Sequence, residues 1–259
     1  MAKPNKQQRA YQRKVEQMMR VVERPFAKEI AKEKNRYIRR YVNDFKIGIA
    51  SGGTALELHQ ARIGQIIDKY VSKAMPAFAR FQINQFKCDK LQLEVKTVAS
   101  DLVLAAIKQY MINFGYKKAS LIAKTTSDDI KGVLRKYSDI PITDEDLAQE
   151  IKAVSKLSAA RSAVIARTET HAATQFASSY VGSFVEQTLE VEMTKAWVSS
   201  SDDRTREAHL EMDSSNYIGI NDMFIVGGEE LEFAGDPSGS PENVINCRCV
   251  TIYAQKEFA

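Results

Sequence analysis

Apolar residues recur every three or four positions through most of the first 190 residues, which is the spacing of one face of an α-helix. The first such series runs over residues 15–49 and contains Pro25. Proline lacks a backbone N–H and clashes with the preceding turn, so a break or kink is predicted near Glu23 or Arg24. Gly52 and Gly53 are predicted to end this helical stretch.

Three more helices are predicted in the first 140 residues. The second helix covers residues 54–74, and Pro76 is predicted to end or bend it. The third covers residues 91–113, with Gly115 as its stop, and the fourth covers residues 117–137. This part of the chain is therefore predicted to be mostly α-helical.

The pattern changes in the second half of the chain. Thr143, with Asp146 three positions later, is typical of a helix start, and helices are predicted over residues 144–156 and 158–187. From Glu190 the helical period gives way to short alternating stretches, which favour strands.

Three strand segments are predicted in this last part. They are a strand ending at Trp197, a hairpin from Phe224 to Phe233 around Gly227-Gly228, and a final strand over residues 248–253. The predicted fold class is α+β, with a long helical region at 1–140 and a small domain with short antiparallel strands at 141–259. Within that domain, the helices fall in 144–187 and the α+β part in 190–255.

Basic residues are concentrated at the start of the chain. Residues 1–40 hold 13 Lys and Arg against 4 Glu, whereas the whole chain has a net charge of only +4. Such a basic helical arm suits non-specific contact with the phosphates of double-stranded DNA, and a solvated basic helix is the alternative. The candidate DNA contacts are Arg9, Arg13, Lys14, Arg20, Arg24, Arg36, Arg39 and Arg40.

Composition narrows the possible locations. No apolar run reaches the roughly 18 to 20 residues that span a bilayer, so no membrane contact is expected, and the cytoplasm is the expected site of synthesis. Three cysteines do not suggest a disulfide framework, and reduced thiols are expected.

The densest group of informative residues lies in the last quarter. Its pieces are Ala166-Arg-Thr-Glu-Thr170, Trp197, Asp202-Asp-Arg-Thr-Arg206, His209, Met223-Phe-Ile-Val-Gly-Gly228, Gly235-Asp-Pro237 and Pro241-Glu-Asn-Val-Ile-Asn-Cys-Arg-Cys249. In their order and spacing these pieces, from Ala166 to Thr251, resemble the phage Mu protein F-like family, the minor head proteins of tailed bacteriophages. One departure is Asp213-Ser-Ser-Asn216, where the family pattern has a glycine after the acidic residue.

The resemblance implies a non-enzymatic structural protein of the virion that takes part in head morphogenesis at the portal vertex. The partners it implies are the portal protein, the major capsid or scaffolding protein, and double-stranded DNA. No cofactor is expected. The residues expected to dock on the partner or to organise the domain are Arg167, Trp197, Asp202, Asp203, Arg204, Arg206, His209, Asp236, Asn246 and Arg248.

The two clustered cysteines leave a choice between packing and metal binding. In a strand, Cys247 and Cys249 share one face, where they either pack under the hairpin or bind zinc together with His209. Asp213 or His171 would then be a fourth ligand. The interpretation adopted at this point is packing without a metal.

Two other functions remain open. One is a phage-delivered nuclease or effector enzyme that uses His209, His171 and the Asp/Arg cluster, with Arg167 and His171 on one wall of a cleft. The other is a scaffold-like assembly factor that acts through its N-terminal helices. His59 is predicted to be a surface or core-edge residue without chemistry.

Overall fold

The computed structural model describes residues 3–46, 53–86, 101–137 and 143–258. Within these ranges no helix is both long enough and apolar enough to cross a membrane. The long helices are α1 (Lys6–Lys46), α2 (Gly53–Ile83), α3 (residues 101–110), α4 (Tyr116–Lys136) and α5 (Asp144–Leu189). Residues 91–100 of the predicted third helix lie outside the described residues.

Neither helix ends at its proline, so the predictions of a break at Pro25 and of an end at Pro76 are wrong, while the alternative of a kink or bend stays a prediction. Pro25 lies inside α1, and Pro76 lies inside α2. An internal proline costs a helix about 3 kcal/mol, but both helices bury large side chains beside it, including the fully buried Phe26 and Met75. Packing of the apolar face on both sides of the proline therefore keeps each helix going.

Two further helix ends were also predicted wrongly. Gly115 does not stop a helix, because a π-helical turn at Met111–Gly115 joins α3 to α4. The helices predicted over 144–156 and 158–187 are one helix, α5. Its start is as predicted, since the Asp146 N–H donates to Thr143 Oγ1 at 3.1 Å.

The chain forms two compact units, each built from separated segments. The first unit comprises Met1–Val22, Val71–Tyr110 and Arg167–Ala259, and the second comprises Glu23–Tyr70 and Met111–Ala166. The sequence boundary predicted between residues 140 and 141 falls inside the last of these segments. That boundary stays a prediction about sequence regions.

The strands confirm the predicted α+β class. A three-stranded antiparallel sheet has the order β2–β1–β5, formed by β1 (Met193–Val198), β2 (Ile218–Gly219) and β5 (Val250–Gln255). The predicted hairpin is β3 (Phe224–Val226) and β4 (Glu229–Leu231). Gly227 and Gly228 connect them with φ of 59° and 81°, the positive values that a tight hairpin turn requires.

Short helices complete the first unit around these strands. Helix α6 (Glu207–Leu210) follows β1, helix α7 (Pro241–Val244) precedes β5, and Lys256–Phe258 forms a final 3₁₀ turn. Neither short helix was predicted, because four residues are too few to show a period.

The basic N-terminal segment is not a free arm, because its residues up to Val22 belong to the first unit and those from Glu23 onward belong to the second. Val15 and Met19 of α1 lie in one core cluster with Phe78 of α2, Val198 of β1 and Val250 of β5. The start of α1 also reaches the C-terminal motif through polar contacts. Gln8 Nε2 donates to the Ser214 carbonyl oxygen at 2.7 Å, and Gln12 Nε2 donates to that of Arg248 at 3.3 Å.

The second unit has its own core around Tyr37, Ile38, Ile130 and Ile151. His59 lies in this unit and is only 1% exposed, so its prediction as a surface or core-edge residue is wrong. Its ring stacks on Tyr37 with centroids 4.4 Å apart, and Nδ1 lies 3.2 Å from Glu33 Oε1.

Candidate functional site

The turn after β1 is organised by Asp202. Arg248 donates to both carboxylate oxygens of Asp202, through Nη1 to Oδ2 and through Nη2 to Oδ1 at 2.7 Å. Two parallel N–H···O bonds between an arginine and a carboxylate are among the stronger pairings in proteins. They connect the residue between the two cysteines to a turn 46 positions earlier.

The same carboxylate also closes its own turn. Asp202 Oδ1 accepts hydrogen bonds from Thr205 Oγ1 at 2.9 Å and from the Arg204 backbone N–H at 3.1 Å. The hydrogen bonds from Arg248, supported by those of Thr205 and Arg204, hold the pKa of Asp202 well below its usual value. Asp203 and Arg204 are exposed on this turn, and the Arg204 side chain, 72% exposed, has its Nη2 3.7 Å from Asp202 Oδ2.

Two further arginines hold the loop before the cysteines. Arg206 Nη2 donates to the Ile245 carbonyl oxygen at 2.5 Å, and Arg167 Nη1 donates to Asn246 Oδ1 at 2.5 Å. The Asn246 backbone N–H donates to Thr168 Oγ1 at 3.0 Å. These contacts support Asn246 at a φ of +61°, a conformation that asparagine tolerates better than most residues.

Two of the predicted residues are internal organisers. Trp197 is fully buried and packs edge-on against Phe224 and His209, with centroids 5.5 and 5.3 Å away. Asp236 is 4% exposed and accepts hydrogen bonds from the backbone N–H groups of Glu232 at 2.8 Å and Ser238 at 2.9 Å. Neither side chain is available to a partner.

The polar stripe on α5 does not line an open cleft as predicted. His171 is 1% exposed, and its Nε2 donates to the Cys249 carbonyl oxygen at 2.7 Å. Burial lowers the pKa of His171, so its neutral form is favoured. Gly235 leaves the room this ring needs, because a Cβ there would lie 2.2 Å from His171 Nδ1.

His209, Cys247 and Cys249 come together in the interior. Among the described residues, this is the group of three whose ligand atoms, one from each, all lie within 4.8 Å of one another. The prediction that the cysteines lie in a strand is wrong, because both precede β5. Both are nevertheless buried, with their sulfurs close to His209. Interaction with the Cys247 thiol, followed by that with His209, lowers the pKa of Cys249.

Residues 142–252 match a family model described as Phage Mu protein F like protein. This part of the chain is similar to the phage Mu protein F-like family. No curated protein and no solved structure matches the chain. The phage Mu protein F-like segment contains all of α5, strands β1 to β4 and the start of β5.

All ten residues predicted to dock or organise lie inside the phage Mu protein F-like segment, and the structure separates them by exposure. The buried members are Trp197, His209 and Asp236, and the partly buried members are Arg167, Asp202, Arg206 and Arg248. Asp203, Arg204 and Asn246 are exposed. The exposed members are therefore the ones that can meet a partner directly.

The basic residues predicted to contact DNA lie before the phage Mu protein F-like segment, and all eight are exposed on α1. Arg9 and Arg13 line a groove of about 590 Å³ together with Ser199, Ser200 and Asp202. This groove therefore joins part of the basic helix to the turn after β1, within the first unit.

Sequence reasoning missed several residues that support the site. Thr168 bonds the Asn246 backbone, Asn243 contacts His209 and Gln12 contacts Arg248, yet none was expected to be a site residue. Thr168 and Asn243 lie within the motif, but amides and hydroxyls are common in loops and on helices. Lys195 was also missed. It is fully buried in β1 and donates to the Glu232 carbonyl oxygen at 2.8 Å. Its position in a six-residue strand whose residues are all buried was the available signal.

Proposed function

We propose that this protein is a minor head protein of a tailed phage that acts at the portal vertex during procapsid assembly and during packaging or delivery of DNA. The match of residues 142–252 to the phage Mu protein F-like family, whose members are phage head morphogenesis proteins, supports the general assignment. The virion is the corresponding location.

The observation that carries the docking role is the fixed turn after β1. Asp203 and Arg204 are exposed, adjacent and opposite in charge. The backbone of their turn is fixed by Asp202, which accepts hydrogen bonds from the Arg204 N–H and from Arg248. A preorganised surface loses little conformational entropy on binding, which favours specific recognition of a protein partner. The portal protein, or the capsid or scaffolding protein beside it, is the proposed partner.

A second surface supports contact with DNA. Arg9, Arg13, Lys14 and Arg20 are exposed on the first turns of α1, while the opposite face of that helix is buried. Contacts made by such side chains to phosphates do not depend on base sequence. The proposed DNA contact is therefore non-specific.

The test is incorporation of variants into phage heads in cells infected by a phage that lacks the native gene. The double variant Asp203→Lys, Arg204→Glu preserves net charge but exchanges the two charges on the turn. Arg204→Glu also replaces an exposed ion pair with Asp202 by two like charges, so we expect a small loss of stability. We expect the variant to remain folded and to be depleted from procapsids and from complexes purified with the portal protein.

A matched control exchanges charges elsewhere in the same unit. Lys256 and Glu257 are also adjacent, opposite in charge and exposed, and they lie beyond the matched family segment. The variant Lys256→Glu, Glu257→Lys should be incorporated at the wild-type level. Normal incorporation of the turn variant, or failure of wild type to co-purify with portal protein, would refute the docking proposal.

The enzyme alternative is less well supported by the geometry. His209 and His171 are each 1% exposed, so a nucleic acid strand does not reach either imidazole in this conformation. Incubation of the purified full chain with DNA and RNA in the presence of Mg²⁺ or Zn²⁺ tests it directly. Cleavage that is lost in a His209→Gln variant would revive the alternative.

A further inference from the structure

The buried cluster of His209, Cys247 and Cys249 has an arrangement that packing alone does not explain. Both thiol sulfurs approach the same nitrogen, since His209 Nδ1 lies 3.4 Å from Cys249 Sγ and 3.7 Å from Cys247 Sγ. An imidazole nitrogen has one lone pair in the ring plane, so it accepts a hydrogen bond from only one of the two thiols.

The surrounding hydrogen bonds determine which nitrogen of His209 carries the proton. Asn243 Nδ2 donates to the Val226 carbonyl oxygen at 3.2 Å, which leaves Asn243 Oδ1 facing His209 Nε2 at 3.3 Å. Because this amide oxygen only accepts, Nε2 carries the hydrogen and Nδ1 carries the lone pair. The lone pair is therefore directed at the two sulfurs.

This is the arrangement that a metal-binding histidine has in proteins. One ring nitrogen binds the ion, while the other donates a hydrogen bond that fixes the tautomer and the ring orientation. Asn243 is 7% exposed, and its backbone N–H donates to the Ser240 carbonyl oxygen at 3.0 Å in the first turn of α7. The orienting group is thus itself held in place.

The distances fit a tetrahedral zinc ion. Zn–S bonds of about 2.3 Å and Zn–N bonds of about 2.0 to 2.1 Å place the sulfur and nitrogen atoms about 3.6 Å apart at a tetrahedral angle. The two observed separations, 3.4 and 3.7 Å, lie on either side of this value. Thiolate and imidazole are also the ligands that zinc prefers.

We propose that His209, Cys247 and Cys249 form a zinc site, with Asn243 as the residue that orients His209. Asp213 and His171 are not members of the cluster, and the Nε2 of His171 is already bonded to the Cys249 carbonyl oxygen. Among the described residues the protein supplies three ligands, so a water molecule takes the fourth position. Zinc bound there would link α6 to the segment that leads into β5.

Cys249, His209 and Asn243 could also be compared with a catalytic site in which a thiol is the nucleophile, an imidazole is the base and an amide orients the imidazole. That arrangement acts on a substrate only when the thiol is accessible. Cys249 is 1% exposed and Cys247 is 2% exposed, and Trp197 covers the His209 ring edge-on. Burial therefore favours the metal over the nucleophile.

The first test uses the full chain, purified without chelators from cells grown with added zinc. Native mass spectrometry and elemental analysis should give one zinc per chain. Replacement of zinc by Co²⁺ should give the visible absorption of a tetrahedral site together with sulfur-to-metal charge-transfer bands. A folded chain that gives no bound zinc and no such bands would overturn the proposal, as would a mass lower by two hydrogens that shows a Cys247–Cys249 disulfide.

Variants test the assignment of each residue. Cys249→Ser should lose the charge-transfer bands and the stoichiometric zinc, whereas Cys88→Ser removes the third cysteine and should keep both. Asn243→Ala should still bind zinc, with affinity lowered about 10- to 100-fold in competition with a chelator. Stoichiometric zinc in a Cys247→Ser, Cys249→Ser double variant, or unchanged affinity in Asn243→Ala, would contradict the assignment. The cobalt spectrum of the wild type remains decisive if a variant does not fold.

Discussion

Asp202 and Arg248 show how single residues shape the candidate docking surface. The Asp202 side chain is 33% exposed and that of Arg248 is 19% exposed, so the pair is partly shielded from water. Three kinds of donor converge on the carboxylate: a guanidinium, a hydroxyl and a backbone N–H. The ionised form of Asp202 is therefore the form that the folded turn requires.

This requirement predicts a pH dependence. Because the pKa of Asp202 is lowered in the folded state, its stabilisation is present above the unfolded-state value of about 3.9. It is lost as the pH falls below that value. The variant Asp202→Asn should lower the free energy of unfolding by about 1 kcal/mol at pH 7.

The measurement is chemical denaturation of wild type and Asp202→Asn across the range from neutral to acidic pH. The difference between the two proteins should be constant at neutral pH and should narrow as the pH falls toward the folded-state pKa. A difference that stays constant into strong acid would show that the charge of Asp202 is not the cause.

Substitution of Trp197 is expected to lower the stability of the fold without removing a surface contact. Replacement by alanine removes a fully buried indole between Phe224 and His209 and should cost about 3 to 5 kcal/mol in the free energy of unfolding. Met223, next to Phe224 and 43% exposed, provides the control, since Met223→Ala should change stability little. Equal effects of the two substitutions in thermal or chemical unfolding would contradict the assignment of Trp197 to the core.

At the scale of single residues, the sequence showed which residues belong to the site better than it showed which residues contact one another. The motif from Arg167 to Arg248 drew attention to the side chains that meet in the structure, and Trp197, expected there to dock on a partner or to organise the domain, lies in the core. His59 was misjudged because its partner, Glu33, lies 26 positions away on another helix. A pairing of that kind leaves no local pattern in the sequence.

At the scale of elements, α1 has two faces with different roles. One face buries Val15, Met19, Phe26 and Ile30, while the other exposes the basic residues. A helix with one apolar stripe is stabilised by the packing of that stripe, so removing the helix also removes part of the core. Truncation of α1 is consequently a poor test of DNA contact, and substitution of the exposed residues is a better one.

The corresponding prediction concerns salt. The triple variant Arg9→Gln, Arg13→Gln, Arg20→Gln should fold normally and bind duplex DNA more weakly. If each arginine contacts one phosphate, the slope of log affinity against log salt should become shallower by about 0.9 per residue. Fluorescence anisotropy with duplexes of different sequence at several salt concentrations measures both properties.

A charge-matched control lies on α4. Lys117, Lys124 and Lys131 are exposed there, and their replacement by glutamine removes the same total charge. An equal loss of affinity in the α4 variant would mean that net charge, and not the α1 surface, governs DNA binding.

Elements were predicted best where backbone chemistry acts locally. Gly227-Gly228 supplies the positive φ angles that a hairpin needs, and Thr143 with Asp146 marks the start of α5. Prolines misled the prediction because the energy that keeps α1 and α2 continuous comes from tertiary packing. The sequence around Pro25 and Pro76 does not reveal that packing.

At the scale of the whole molecule, the first unit draws on three separated segments. Its clusters join Val15 of α1 and Phe78 of α2 to Val198 and Val250 of the sheet. A second cluster joins Ile83, Val103, Val185 and Tyr253. The family match begins at residue 142, so the matched segment by itself lacks the parts of these cores that come from α1, α2 and α3.

A fragment of residues 141–259 should therefore fail to fold by itself. We expect it to show a weak near-ultraviolet circular dichroism signal from Trp197 and no cooperative unfolding transition, in contrast to the full chain. A native-like, cooperatively unfolding fragment would show instead that the predicted boundary at residue 141 separates independent domains.

The combination of distant segments was beyond sequence reasoning. The charge difference between residues 1–40 and the rest of the chain suggested a separate arm. Charge indicates which residues are exposed, but it gives no information about the buried contacts of the same helix. The buried face of α1 contains ordinary apolar residues at helical spacing. Their partners, such as Val250, are distant in the chain and cannot be assigned from one sequence.

The contact between Gln12 and Arg248 also sets an order of events during synthesis. The two residues are 236 positions apart, and a ribosome adds roughly 5 to 20 residues per second. The first turns of α1 therefore wait about 12 to 47 s before the strand they pack against has been made. During that time the apolar face around Val15 and Met19 has no β5 to cover it, so a nascent chain depends on other helices, or on chaperones, for protection from aggregation.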